Sequence, residues 1–180
     1  VSNVTSMSQM FVLATNFDQN IGNWNVSNVN LIRGMFNRAT NFNQDIGNWN
    51  VSSVTDMDNM FRNADNFDQD IRSWDTSSVL DMSYMFYQND AFNQNITYWD
   101  VSNATNLDNM LNNSKIPDGT YGLSNPTPVH TQFNKKILIT NENLITALNL
   151  MISNSTEAII YYGEFNTWNL SNIDLTLLKS

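Results

Sequence analysis

The feature that most constrains this chain is a spacing of 25 residues that recurs without insertion or deletion. Residues of four types each stand one period apart: Trp24, Trp49, Trp74 and Trp99; Phe17, Phe42, Phe67 and Phe92; Ile21, Ile46, Ile71 and Ile96; and Gln19, Gln44, Gln69 and Gln94. A Met-Phe pair, first seen as Met10-Phe11, follows the same register. A fixed period of this length indicates an array of stacked structural units.

Each period contains two apolar patterns. Val4, Met7, Phe11 and Ala14 are spaced three, four and three residues apart, which predicts one face of a short helix. Ser and Thr residues near the start of this stretch favour a helix N-terminus, because their side chains can accept hydrogen bonds from free N–H groups. Later in the period, apolar and polar residues alternate, as over 49–51, which predicts a short strand.

One short helix and one short strand cannot bury their own apolar side chains, whereas stacked copies can bury them in ladders spaced by about 4.8 Å. We therefore predict an α/β repeat solenoid: a leucine-rich-repeat-like, right-handed coil with one short parallel strand and one short helix per 25-residue turn. The main alternative is a flat all-β solenoid, and the helical spacing argues against it.

The register divides the chain into two regions. Residues 1–114 form the repeat array, with four full units and a fraying fifth. Residues 115–180 are predicted to form an irregular, proline-containing connection followed by degenerate longer coils or a C-terminal α/β cap, since an open end of a repeat array exposes apolar surface. Within this second region the pattern predicts a strand at 136–139, a helix at 141–153 and a strand at 158–162.

The charge balance excludes some partners. The net charge is −9, and residues 1–114 carry twelve Asp against four Arg, without Lys or Glu. Such a surface repels phosphate backbones and anionic membranes, so we expect no nucleic-acid partner. Without cysteine there are no disulfides or thiolate metal sites. No run of eighteen apolar residues occurs, so we expect no membrane insertion by this segment. Because Val1 opens inside the repeat pattern, we expect a fragment or processed product, with any signal or anchor outside this chain.

Oxygen-bearing side chains flank the repeated Gln and suggest a metal site. Calcium takes six to eight oxygen ligands, usually including several carboxylates. The third unit places Asp68 and Asp70 on either side of its Gln, which makes these two residues the calcium candidates. The alternative is that Asp and Asn side chains cap turns and satisfy loop N–H groups. We favour the alternative and predict no metal and no cofactor.

Catalytic chemistry lacks its usual parts. His130 is the single histidine and lies near prolines, which is typical of a surface loop. No unit in residues 1–114 breaks the repeat with an acid–base or nucleophile constellation, so we predict no enzyme and no catalytic residues. The Trp series could form a platform that stacks on sugar rings, but strand alternation favours a buried Trp ladder.

The motif that begins at Asn43 and runs through Met60-Phe61, NQDIGNWNVSSVTDM and onward, resembles the repeats of mycoplasma lipoproteins and of BspA-like leucine-rich-repeat surface proteins. The resemblance covers residues 1–114 and, more faintly, 165–175. It implies a secreted or surface-anchored protein, located outside the cell or on its surface, that attaches to host cells or matrix. Similar repeats occur in some protists and large DNA viruses, so the source stays open.

From these observations we predict a non-catalytic, cell-surface binding or adhesion module that recognises a host or neighbouring protein or glycan on another cell or matrix. The ligand-binding residues should occupy variable positions between the ladders, namely Arg38, Arg62, Tyr84 and Tyr87. The alternative is a structural scaffold or spacer in a virion or surface layer, in which this array stacks end to end with further repeats.

Overall fold

The computed structural model describes residues 3–117 and 127–128. The chain divides into two compact bodies, Val1–Asn134 and Lys135–Ser180. All the described residues belong to the first body. Three predicted elements lie outside the described residues: the strands at 136–139 and 158–162 and the helix at 141–153. His130 also lies outside them.

The predicted α/β architecture is wrong. Residues 3–117 contain no helix, and their β-structure is limited to single-residue parallel bridges. The strand predicted at 49–51 is therefore absent. The bridges lie five to seven residues further along and join successive repeats in register: Ser6 to Leu31, Leu31 to Asp56, Asp56 to Asp81, and Asp81 to Asn106. Consecutive repeats, starting at residues 1, 26, 51, 76 and 101, thus stack in parallel, but not as helix-and-strand units of the leucine-rich-repeat kind.

The segment predicted to be helical is a series of overlapping tight turns, which we call the turn segment (7–14, 32–39, 57–64, 82–89 and 107–114). In the first repeat, alternate N–H groups donate three residues back, as from Met10 to the Met7 carbonyl at 3.2 Å. The intervening N–H groups donate to the next repeat, as from Phe11 to the carbonyl of Met35 at 2.9 Å. An α-helix needs every N–H to donate four residues back within its own segment. Here half of these bonds hold one repeat to the next instead.

Two positions in every turn segment have a positive φ. They are Gln9 and Leu13, Gly34 and Arg38, Asn59 and Asn63, Tyr84 and Gln88, and Asn109 and Asn113, with φ between 52° and 61°. Each is the third residue of a turn, and a positive φ at that place alone is the mark of a type II turn. The Asn and Gly residues at these positions are the sequence signal for turns that the apolar spacing obscured.

The core consists of aromatic and aliphatic ladders that pass through all repeats. Within a repeat two Phe rings stack closely, as Phe36 on Phe42 at 3.9 Å between centroids. Between repeats the Phe rings stack with centroids 5.5–6.1 Å apart, which is wider than the predicted strand spacing. The indole N–H of each internal Trp donates to an Ile carbonyl of the preceding repeat, as from Trp74 to Ile46 at 3.2 Å. Stacking thus buries the aromatic rings and also supplies acceptors for the indole N–H groups.

Candidate binding surface

The turn segment separates constant buried positions from variable exposed ones. Its inward-facing positions are buried in the three internal repeats. The first holds Met, Ile or Leu, the second Met, and the third Phe or Leu, whereas the fourth is Ala in three repeats, then Asn89 and Ser114. Its exposed side, which we call the turn face, consists of three columns of side chains, and every member except Gly34 is exposed or partly exposed. The columns are Gln9, Gly34, Asn59, Tyr84 and Asn109; Val12, Asn37, Arg62, Tyr87 and Asn112; and Leu13, Arg38, Asn63, Gln88 and Asn113.

Three of the four predicted ligand-binding residues meet on this face in what we call the Arg62 cluster, formed by Arg62, Tyr84 and Tyr87. The guanidinium carbon of Arg62 lies 4.8 Å from the ring centroid of Tyr87 and 5.6 Å from that of Tyr84. The two rings are tilted with centroids 5.5 Å apart. Distances below about 6 Å place a cation within the attraction of an aromatic face. The cluster therefore joins residues of two adjacent repeats into one partly exposed surface.

Arg38, the fourth predicted residue, lies in the preceding repeat. Its backbone N–H donates to the carbonyl of Arg62 at 2.8 Å, which fixes the two residues in neighbouring columns. Its side chain is exposed. The structure therefore places Arg38 on the same face as the cluster but not within its ring contacts.

A polar network beneath the cluster holds Arg62 in place. Asp58 is 8% exposed, and its carboxylate accepts hydrogen bonds from the Nε of Arg33 at 2.9 Å and the Oγ of Ser83 at 3.1 Å. The amide nitrogen of Asn59 also donates to Asp58. The amide oxygen of Asn59 in turn accepts a hydrogen bond from Nη1 of Arg62 at 3.1 Å. Arg62 is thus linked through Asn59 to a buried carboxylate.

Sequence reasoning missed Arg33, Asp58 and Ser83 as supporting residues. The 25-residue register places these three in one column, so the signal was present in the spacing. An opposite-charge pair one period apart indicates a contact once stacking is accepted.

The four arginines of the described residues differ in how their charge is compensated. Arg33 pairs with Asp58 and Arg72 with Asp70, each at 2.9 Å. Within residues 3–117, no carboxylate pairs with Arg38 or Arg62. The turn face of an otherwise acidic array therefore presents two cations that no described carboxylate neutralises.

The calcium candidates are engaged within the protein. One carboxylate oxygen of Asp68 accepts the N–H of Asn93 at 2.8 Å and the side-chain amide of Gln94 at 2.9 Å. Asp70 binds the Arg72 side chain. No group of three or more His, Cys, Asp or Glu residues that could hold a metal occurs in the part of the chain that the structure describes.

The loops explain why Asp and Asn exchange freely between repeats. At four equivalent positions the side-chain oxygen accepts the backbone N–H two residues on: Asn25 from Ser27, Asn50 from Ser52, Asp75 from Ser77, and Asp100 from Ser102. This bond needs an acceptor oxygen, which an amide and a carboxylate both supply. The charge at these positions is therefore incidental to the loop.

Other candidate surfaces offer less. Trp49, Trp74 and Trp99 are 4%, 3% and 0% exposed, so their rings present no platform to a sugar. A polar cavity of about 200 Å³ lies between the loops of the first two repeats, with Asp45 its one ionisable lining residue. Among the described residues, no helix is long and apolar enough to cross a membrane.

Comparison with known proteins gives a family. The model of a family described as "Mycoplasma protein of unknown function, DUF285" matches residues 1–79 and, a second time, residues 45–118. The two matches overlap and together span most of the stacked repeats. No curated protein and no solved structure matches the chain.

Proposed function

This chain belongs to that mycoplasma repeat family of unknown function, and from this premise we propose that it is a non-catalytic binding module whose turn face recognises a protein or glycan on another cell or in the matrix. The observation that supports the proposal most is the Arg62 cluster, which gathers a cation and two aromatic rings on the variable side of a constant framework. Tyr and Arg are among the residue types most enriched at the hot spots of protein interfaces.

The contrast between columns supports the same proposal. Most buried columns repeat nearly the same residue in each unit, because each ladder packs against its own copies. Turn-face columns vary much more: a single column holds Gln, Gly, Asn and Tyr in successive repeats. Stacked repeats can vary such positions without disturbing the core, and repeat proteins use surfaces of this kind to bind partners.

The proposed location is extracellular or on the cell surface. It rests on the resemblance of the repeat to BspA-like and lipoprotein-associated surface repeats, and an antibody against this chain tests it. Labelling of intact, unpermeabilised source cells that disappears after protease shaving would support the location. Labelling that appears only after permeabilisation would exclude it.

The binding proposal is tested with substitutions that the array already tolerates. In the triple variant Arg62→Asn, Tyr84→Asn and Tyr87→Asn, each new Asn has a counterpart in the same column, at Asn59, Asn37 or Asn112. The biotinylated full chain and this variant are applied to cultured animal cells and to a panel of immobilised matrix proteins and glycans. We expect the wild-type chain to bind and the triple variant to lose most of that binding.

A control variant, Asp75→Asn with Asp100→Asn, changes an exposed and a partly exposed loop position where other repeats already have Asn25 and Asn50. It should bind like the wild type. Equal binding by the triple variant, with an unchanged thermal unfolding curve, would contradict the proposal. Failure of the wild type to bind any probe, together with concentration-dependent assembly in small-angle scattering, would favour a structural spacer instead.

A further inference from the structure

We infer that the turn face binds an acidic segment of a protein partner, with Arg62 as the anchor for an Asp or Glu carboxylate and Arg38 as a second contact. This inference rests on the proposed binding function and specifies the chemistry of its ligand. The inference rests on a difference between arginines: among the described residues, Arg33 and Arg72 each pair with a carboxylate, whereas Arg38 and Arg62 do not.

Charge compensation is the first argument. The chain carries a net charge of −9, yet the ion pairs of the described residues use Arg33 and Arg72 and leave Arg38 and Arg62 without a carboxylate. Among the described residues, the Arg62 side chain donates to a neutral amide oxygen, that of Asn59, and lies against two uncharged Tyr rings. A planar guanidinium matches a carboxylate through two parallel hydrogen bonds. An external carboxylate is therefore the complement that this face lacks.

Preorganisation is the second argument. Arg62 is partly buried and contacts both Tyr rings, while its Nη1 is fixed by Asn59, which itself donates to buried Asp58. An arginine held in this way loses little side-chain freedom when a ligand binds, so more of the interaction energy appears as affinity. The buried charge of Asp58 is compensated by Arg33 at 2.9 Å and does not neutralise Arg62.

The form of the surface favours a protein segment over a free sugar. Arg38 and Arg62 belong to adjacent repeats, and the columns around them extend over all five turn segments. Small ligands bind mostly in concave sites. The polar cavity around Asn20 and Asp45 is lined by none of the residues of these columns. An extended face with Tyr and Arg at its centre is typical of protein interfaces.

The test uses the full chain and a synthetic octaglutamate peptide, with an octaglutamine peptide as the neutral probe. Binding is followed by NMR at the Arg62 Nε–H resonance. We expect octaglutamate to shift this resonance, octaglutamine to leave it unchanged, and the affinity for octaglutamate to fall as salt is raised. Arg62→Gln should weaken binding about tenfold, since a hydrogen-bonded charge is lost. Arg62→Lys should also weaken it several-fold, because Lys lacks the planar fork.

The matched control is Arg72→Gln, which removes the same charge from a loop where Arg72 pairs with Asp70. It should change the affinity for octaglutamate less than twofold. An equal loss in both variants would show charge attraction without a site and would overturn the inference. A shift of the Arg62 resonance by hyaluronan oligosaccharides but not by octaglutamate would replace the protein partner with an acidic glycan. No shift with either probe would overturn the inference, while the cell and matrix panel would still decide the binding proposal.

Discussion

At the scale of single residues, several non-glycine residues of the turn segments adopt a left-handed backbone conformation that their side chains disfavour. Arg38 and Tyr84 have φ values of 60° and 54°, in columns where Gly34, Asn59 and Asn63 also stand. A left-handed conformation costs a residue with a Cβ about 1–2 kcal/mol, and Asn and Gly tolerate it better. Two of the proposed binding residues therefore occupy positions that favour other residue types, as is common at functional sites.

Arg38 allows this strain to be measured at an exposed site. Arg38→Asn should raise the free energy of unfolding by about 0.5–1 kcal/mol, because Asn relieves the left-handed backbone. Arg38→Val should lower it by about 1 kcal/mol, since a β-branched residue tolerates a positive φ poorly. Chemical denaturation of the full-length variants measures both. Equal stability of the two variants would show that the φ of this residue relaxes in solution.

Leu31 occupies a position where the other repeats have a side chain that accepts a backbone hydrogen bond. In the other four repeats a side-chain oxygen at this position, in Ser6, Asp56, Asp81 and Asn106, accepts the N–H two residues on at 2.8–3.4 Å. Leu31 is 40% exposed and cannot accept the N–H of Arg33. Leu31→Asn, which copies Asn106, should therefore raise the free energy of unfolding by about 0.5–1.5 kcal/mol.

The control for this change is Leu31→Ala, which removes the exposed leucine without supplying an oxygen. It should not raise stability. If both substitutions stabilise the protein equally, the effect comes from removing exposed apolar surface and not from the new hydrogen bond.

At the scale of structural elements, the loop turns depend on an oxygen and not on a charge. The carboxylate of Asp75 accepts the N–H of Ser77 at 3.1 Å and its hydroxyl at 2.6 Å. Asp75→Asn should leave the thermal unfolding temperature nearly unchanged, because the amide oxygen keeps both bonds. Asp75→Ala should lower stability by about 1 kcal/mol. A large loss in Asp75→Asn would mean that the negative charge itself matters there.

Stacking also brings like charges together, which gives a pH dependence. Burial raises the pKa of Asp56 above its usual value, and the nearby carboxylates of Asp58 and Asp81 add to the rise. Burial, together with Asp90, raises the pKa of Asp65. Because the folded state then binds protons more readily than the unfolded chain, these groups stabilise the fold most at acidic pH. That stability is lost as the pH rises from about 4 through the raised pKa values.

We therefore expect the unfolding temperature to rise when the pH is lowered from 7 toward about 4. The double variant Asp56→Asn and Asp65→Asn should be more stable than the wild type at pH 7 and show a smaller rise on acidification. The double variant Asp75→Asn and Asp100→Asn, which removes the same number of charges from two loop positions, should keep most of the wild-type slope. A double variant with the wild-type slope would contradict the assignment.

The 25-residue period predicts part of this structure but not its turns. The period predicts the register and the columns of buried Met, Phe and Trp side chains. It also predicts the outward positions of four residues, Arg38, Arg62, Tyr84 and Tyr87. The prediction of a helix was wrong because overlapping turns bury side chains at nearly the same sequence spacings as a helix does. In the turn segment, half of the backbone N–H groups donate to carbonyls of the neighbouring repeat. The apolar spacing within one repeat does not show which carbonyl each N–H will use. The sequence signals for turns were Gly34 and the Asn residues at the left-handed positions, namely Asn59, Asn63, Asn109 and Asn113.

At the scale of the whole molecule, the described residues are held together mainly by contacts between neighbouring repeats. Every internal turn segment donates N–H groups to the next repeat, and every internal Trp donates to the previous one. Stability in such an array is a sum of repeat and interface contributions. The same inter-repeat bonds set the positions of the turn-face columns, so the proposed binding surface depends on the stacking register.

The most direct measurement of this arrangement is NMR detection of scalar couplings across the backbone hydrogen bonds of the full chain. We expect a coupling from the amide nitrogen of Phe36 to the carbonyl carbon of Met60, and another from the amide nitrogen of Arg38 to the carbonyl carbon of Arg62. The corresponding hydrogen bonds are 2.9 and 2.8 Å long. Couplings from these amides to carbonyls four residues earlier, at Ile32 and Gly34, would instead show a helix in each repeat. That result would contradict the stacked-turn framework and, with it, the placement of the Arg62 cluster.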